Sequence, residues 1–287
     1  MILTLTAVTA GCGGKPCKDL GLYTIQRNGS DKHRVRPERG FEDLYDATWL
    51  AGGHRIAFND GRLWWAMNED GSDVRRFPEG GPTFAAPGVR IVWITKTRRA
   101  AGLVLGSLVG FRIFRPGKAP RAIRYRALRN NPEDVTLSPN GQLVAYTDAV
   151  ADLAGIYIIS TRAGPPRGLT QGAGPVWSPD GRKIAFVREL GDLSDVYVIN
   201  ADRSGQQLIA KDADQVAWSP DGRELVVTSE KWRNGVFVED ELHIVDLRGN
   251  VIRSLTSGDL LSLTWAPSNT IAYVQDNGDD SQAKCGD

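Results

Sequence analysis

Side chains able to do acid–base or nucleophilic chemistry are few in this chain and stand far apart. There are three histidines, His33, His54 and His243, and three cysteines, Cys12, Cys17 and Cys285. No His-x-x-x-His pair and no close Cys pairing gives a zinc-ligand pattern. A G-x-S-x-G nucleophile elbow is absent as well. The acidic stretch DNGDDSQ at 276–282 lacks the ligand spacing of an EF-hand loop and reads as a solvated loop. No catalytic residue, no metal ligand and no cofactor is therefore assigned. Binding chemistry is better represented. SEKWRNGVFVEDE at 229–241 brings Trp232, Arg233 and Phe237 together, the composition of an interface hot spot on a long loop. PEGGPTFAAPGV at 78–89 is a second long connection and carries Phe84. TKTRRA at 95–100 stands in the turn slot of its unit and groups Lys96, Arg98 and Arg99, read as a solvated loop with contact to acidic lipid or polymer as the alternative. The competing reading of Trp232 folds it back onto its own sheet.

The cysteines point outward from the cell. MILTLTAVTAGC is apolar and ends in small residues before Cys12, which resembles a bacterial lipoprotein signal cleaved to expose that cysteine for acylation. Thr9 stands where Leu is usual, and no Lys or Arg precedes it. The expected division is a signal at 1–12, a short linker at 13–19 and one domain at 20–287, anchored to a membrane through lipid alone. An exported setting permits a disulfide between Cys17 and Cys285.

Elements that would position the binding loops follow from a repeat. Gly is abundant at 32 residues and clusters with Pro, Asn, Asp and Ser between short apolar runs, which predicts an all-β chain. Net charge is +1 with both signs mixed, so a nucleic-acid footprint is excluded. VWSPDGRKIAF at 176–186 recurs as AWSPDGRELVV at 217–227, and weaker copies place anchors at 49, 93, 137, 177, 218 and 265. A unit of some forty residues with alternating apolar strands and Gly-bearing turns has the content of one propeller blade. Six such units predict a six-bladed β-propeller of four-stranded antiparallel blades. Within a unit, Pro179, Asp180 and Gly181, or Pro220, Asp221 and Gly222, are expected to be structural turns rather than a ligand loop. The last unit lacks its outer half, whereas LGLYTIQRNGSDKHRV at 20–35 looks like an orphan outer half. Residues 20–36 are therefore expected to pair beside 263–276 and close the ring, bringing Cys17 and Cys285 to one seam.

WSPDGRKIAF followed by DVYVINADRSGQQLI resembles the TolB-type, WD-like propeller repeat. The resemblance spans 20–280 and implies a six-bladed propeller in the bacterial envelope. The expected function is a monomeric, non-catalytic binding or scaffold lipoprotein whose loop surfaces hold a protein or envelope polymer. The alternative is a propeller enzyme, a lyase or hydrolase, with its site at the channel mouth.

Overall fold

The computed structural model describes residues 20–277 except 39–40, 42–43, 45, 51–52, 77–89, 101–102, 116–117, 127–132, 151–152, 163, 192 and 235. From 90 to 126 it describes the backbone alone. Among the described residues every regular element is a strand. Strands β1 (Leu20–Gln26) and β2 (His33–Val35) open the chain. Strands β3 (Asp46–Trp49), β4 (Arg55–Asn59), β5 (Trp64–Asn68) and β6 (Arg75–Arg76) form one antiparallel sheet in chain order. A three-stranded sheet follows from β7 (Arg90–Ala100), β8 (Leu103–Arg115) and β9 (Lys118–Arg126). Next come the four-stranded sheet of β10 (Glu133–Leu137), β11 (Leu143–Val150), β12 (Leu153–Ser160) and β13 (Arg167–Gln171) and its neighbour. That neighbour contains β14 (Ala173–Trp177), β15 (Lys183–Leu190), β16 (Leu193–Asn200) and β17 (Gln207–Ala210). The chain then makes β18 (Gln215–Trp218), β19 (Glu224–Arg233), β20 (Val236–Asp246), β21 (Val251–Trp265) and β22 (Thr270–Asp276).

Strand β21 serves two units. Residues 251–258 pair with β20, and residues 259–265 pair with β22. On the far side of β22 lies β1, antiparallel, with Tyr23 opposite Tyr273 and Ile25 opposite Ile271. The expected pairing of the first strands with the last is thus present, and β2 completes it as the outer strand. The TKTRRA stretch departs from expectation. It continues strand β7, with Lys96 opposite Leu108 and Arg99 opposite Val104, and the reversal falls after Ala100. Its Thr and Arg residues keep an extended ladder going where no Pro, Asp or Asn is present to bend it.

Successive side chains of a strand point to opposite faces, so unbroken apolar runs such as Ile184–Val187 and Leu225–Val227 make both faces apolar, and these are buried against neighbouring sheets. One cluster joins Ile158 and Leu169 to Phe186 and Ile184; the next joins Val196 and Ile209 to Trp218 and Val227. A third joins Val226 and Ile244 to Ile271 and Tyr273, and a fourth joins Leu22 and Val274 to Trp49 and Phe58. The anchor residues Trp49, Trp177, Trp218 and Trp265 are all buried. Each removes roughly 150–250 Å² from water, about 4–6 kcal/mol as an upper figure. Another rule runs across the sheets. A small residue followed by an aromatic recurs on the second strand as Ala145-Tyr146, Ala185-Phe186 and Ala272-Tyr273. Opposite those aromatics lie Tyr157, Tyr197 and Tyr23, stacked at centroid distances of 5.8, 5.7 and 5.6 Å.

Candidate functional site

The repeated turns show what they are for. In SPDG at 178–181, Ser178 Oγ accepts from Lys183 N–H at 2.9 Å and donates to Asp180 Oδ1 at 2.6 Å. Asp180 Oδ1 also accepts from Arg182 N–H at 3.0 Å, and these hydrogen bonds hold its carboxyl below the ordinary aspartate range. Ser219 and Asp221 repeat the pattern at 2.9, 2.7 and 3.1 Å, and Asp221 is shifted the same way. Gly181 and Gly222 both have φ of +69°, a region that favours glycine. Each glycine also abuts a proline of the preceding unit's turn. A Cβ on Gly181 would lie 3.4 Å from Pro139, one on Gly222 3.4 Å from Pro179, and one on Gly53 2.6 Å from Pro267. The Ser hydroxyl and one carboxylate oxygen of each copy are engaged within the turn.

On the opposite face the second and third strands of the units end in hairpins, and that of β19–β20 reaches beyond that of β15–β16. Its ladder runs from Glu224 opposite Asp246 to Arg233 opposite Val236, whereas β15–β16 stops at Leu190 opposite Leu193. Two more residues on β19 extend it by about 7 Å at the usual rise per residue. Trp232 and Phe237 face each other at the tip, ring centroids 5.9 Å apart and nearly perpendicular, and both are exposed (42% and 43%). The Trp232 indole donates to Glu230 Oε2 at 3.0 Å, so both of its contacts are within its own hairpin while much of the ring stays exposed. Val236 and Val238 extend the exposed apolar surface on this tip, and Leu190 and Leu193 do so on the neighbouring one. The connection at 211–214 ties the two hairpin bases together: Ala213 N–H donates to Ser194 O, and Glu230 N–H to Asp212 O, both at 2.6 Å.

The sequence singled out Trp232, Arg233 and Phe237 and passed over Leu190 and Leu193, which end the neighbouring β15–β16 hairpin and are exposed. Phe84, Cys12, Cys17 and Cys285 lie outside the described residues. The three histidines are not brought together: His33 is on β2, His54 precedes β4 and His243 is on β20.

Beneath the aromatic tip the surface is acidic. Lys231 bridges Glu239 at 3.1 Å and Glu241 at 2.6 Å, which stiffens the hairpin. Asp240 is buried and its Oδ2 accepts from Leu260 N–H at 3.0 Å, at the point where β21 passes between sheets. Burial pushes the Asp240 carboxyl up to about 6, and the charges of Asp214, Asp259 and Glu230 push the same way. Asp214 is itself engaged, accepting from Thr228 Oγ1 at 2.6 Å. Among the described residues no group of three His, Cys, Asp or Glu side chains has the geometry to hold a metal ion. What the hairpin face offers is contact area on a stiff support.

Antiparallel sheets, four-stranded in the clearest cases, follow one another along the chain and share apolar clusters between their faces, as in a β-propeller. No sequence family matches the chain, and no curated protein matches it. Solved structures do. It is similar to a putative TolB from Agrobacterium tumefaciens, with a TM-score of 0.66 and 20% identity, covering 90% of this chain and 98% of that one. It is also similar to TolB from Acinetobacter baumannii, with a TM-score of 0.57 and 14% identity, covering 90% of this chain and 64% of that one. The chain has the TolB-like β-propeller fold.

Proposed function

We propose that this chain is a non-catalytic binding protein of the bacterial envelope that holds a protein, or an envelope polymer, on the hairpin face centred on Trp232 and Phe237. The aromatic pair carries the reading. Two large rings stand exposed on a hairpin stiffened by the Lys231 bridges, so little conformational freedom remains to be lost on binding. Arg233 beside them supplies a charge-assisted donor. Leu190 and Leu193 continue the patch onto the next hairpin, giving a partner more than one point of attachment.

The frame for this surface is a ring of six blades, the sixth formed by residues 259–265 of β21 with β22, β1 and β2. Supporting it, Gly53 meets Pro267 as Gly222 meets Pro179, so the first four-stranded sheet follows the last as its neighbours follow one another. The three-stranded sheet of β7–β9 is the second blade. Cys12 carries the lipid, and Cys17 and Cys285 form a cross-link at the seam. In support of the cross-link, Leu20 pairs with Asp276, so both flanking segments leave from one end of the β1–β22 pair. The TolB-like fold agrees with an envelope setting.

Affinity capture from envelope extracts with the full chain, beside a variant carrying Trp232→Ala and Arg233→Ala, tests the reading. A partner held by the first and released by the second supports it; an identical catch from both removes the hairpin from consideration. Intact mass under non-reducing conditions tests the cross-link, and two free thiols in exported protein would end it.

A further inference from the structure

The β18–β20 sheet breaks the aromatic rule, and a cavity lies where it does so. In the β14–β17 sheet the groove facing the preceding sheet is filled by three side chains. Phe186 stacks on Tyr197, and the Arg188 guanidinium lies 4.6 Å from the centre of the Tyr197 ring. Arg188 also donates to Thr170 Oγ1 at 3.1 Å and to Gln206 Oε1 at 3.2 Å. Strand register places Val227 and His243 opposite each other at the aromatic positions of the next sheet. Ser229, two residues beyond Val227, stands where Arg188 stands two residues beyond Phe186. An aromatic ring, a phenol and a guanidinium are thus replaced by an isopropyl, an imidazole and a hydroxyl.

A cavity of about 420 Å³ opens there, walled by His243, Ser229 and Val245 on one side and by Leu208 and Ile209 of β17 on the other. That is within the size range of small-molecule sites. Gly249 also lines it, and the gap is tight at that point: a Cβ there would approach Ile209 O to 2.7 Å. His243 is held in place, Nδ1 at 3.0 Å from Ser254 Oγ and Nε2 at 3.3 Å from Glu241. Glu241 in turn is bridged by Lys231. Lys211 and Arg248 complete the lining, and neither forms an ion pair among the described residues. Apolar walls thus meet two cations at a slot whose counterpart in the preceding sheet contains a tyrosine ring.

We propose that this interblade cavity binds a small aromatic carboxylate. Its ring lies beside His243 and Ser229, in the space that the longer Tyr197 and Arg188 side chains fill in the preceding sheet, against Leu208 and Val245, and its carboxylate faces Lys211 and Arg248. This site is separate from the hairpin tip, and its occupancy does not depend on a protein partner.

The test uses the full chain titrated with 4-hydroxyphenylacetate, followed by calorimetry and by amide shifts at Ser229, His243 and Ile209. Saturable binding in the millimolar range or tighter is expected. Lys211→Ala with Arg248→Ala, both on the rim, is expected to weaken it about tenfold or more through loss of the charge-assisted contacts. His243→Tyr with Ser229→Arg restores the neighbouring sheet's filling and is expected to abolish binding while raising Tm. 4-Hydroxyphenylacetamide, lacking the charge, and cyclohexylacetate, lacking the ring, are each expected to bind more weakly. Absence of saturation at millimolar ligand, equal affinity for the amide or the cyclohexyl acid, or unchanged binding to the rim variant would overturn the proposal. Should the filled variant fail to fold, the rim variant and the two analogues still decide it.

Discussion

The β14–β17 and β18–β20 sheets begin with nearly the same eleven residues, VWSPDGRKIAF and AWSPDGRELVV, and then diverge. Their shared part is turned inward and sideways: a buried Trp, a closed turn and a glycine set against the preceding unit's proline. Their differences lie where one unit does not constrain the next. The second sheet has a longer hairpin with exposed rings and lacks the stacked aromatic pair. Repetition here records what holds sheets together, and departure from it marks where the surface is free to do something else.

Four experiments press on that contrast. The largest effects belong to the shared part: Trp177→Ala and Trp218→Ala are each expected to cost about 3–5 kcal/mol in denaturant unfolding, Trp218→Ala about 1 kcal/mol more because its indole donates to Val176 O at 3.0 Å whereas the buried Trp177 N–H has no partner among the described residues. A difference well beyond 1 kcal/mol would show the two sheets are not equivalent. Gly222→Ala is expected to cost about 1–2 kcal/mol, because the turn needs positive φ and a methyl group meets Pro179 only at ordinary contact distance. Gly53→Ala is expected to cost more, since there the approach to Pro267 is 2.6 Å.

Asp240 belongs to the divergent part. Its folded-state carboxyl titrates at about 6, above the ordinary value of 3.8, so the folded chain binds more protons between these values. Its contribution therefore favours folding at low pH and is lost as pH rises from 4 to 6. Asp240→Asn, whose amide oxygen still accepts from Leu260, is expected to stabilise the protein by about 1–2 kcal/mol at pH 8 and to flatten stability across that window. An unchanged pH profile would show that Asp240 is already ionised without cost. The smallest stability effect is expected from Trp232→Ala with Phe237→Ala, below about 1 kcal/mol, because the pair joins only the exposed end of one hairpin. A loss several times larger would make the tip part of the frame.

Much of the frame was legible in the sequence because its causes are local or periodic. Trp177, Asp180 and Gly181 announce a turn after a buried strand end, and the orphan strand at 20–26 announced its partner through matching pattern. The run at 95–100 was misjudged because basic residues and threonines suit an exposed strand as readily as a turn. Leu190 and Leu193 were passed over because their importance is a matter of which hairpins share a face. The cavity was invisible for the same reason: His243 and Ser229 are ordinary residues until register sets them against Tyr197 and Arg188.

The pairing of β1 with β22 has a consequence for synthesis. Leu20–Gln26 is made before the other described strands and Thr270–Asp276 after them, so β1 waits with an open edge while the strands between are made. Whatever shields that edge on the way out governs yield, and a chain stalled before Thr270 keeps a sticky strand it cannot retire.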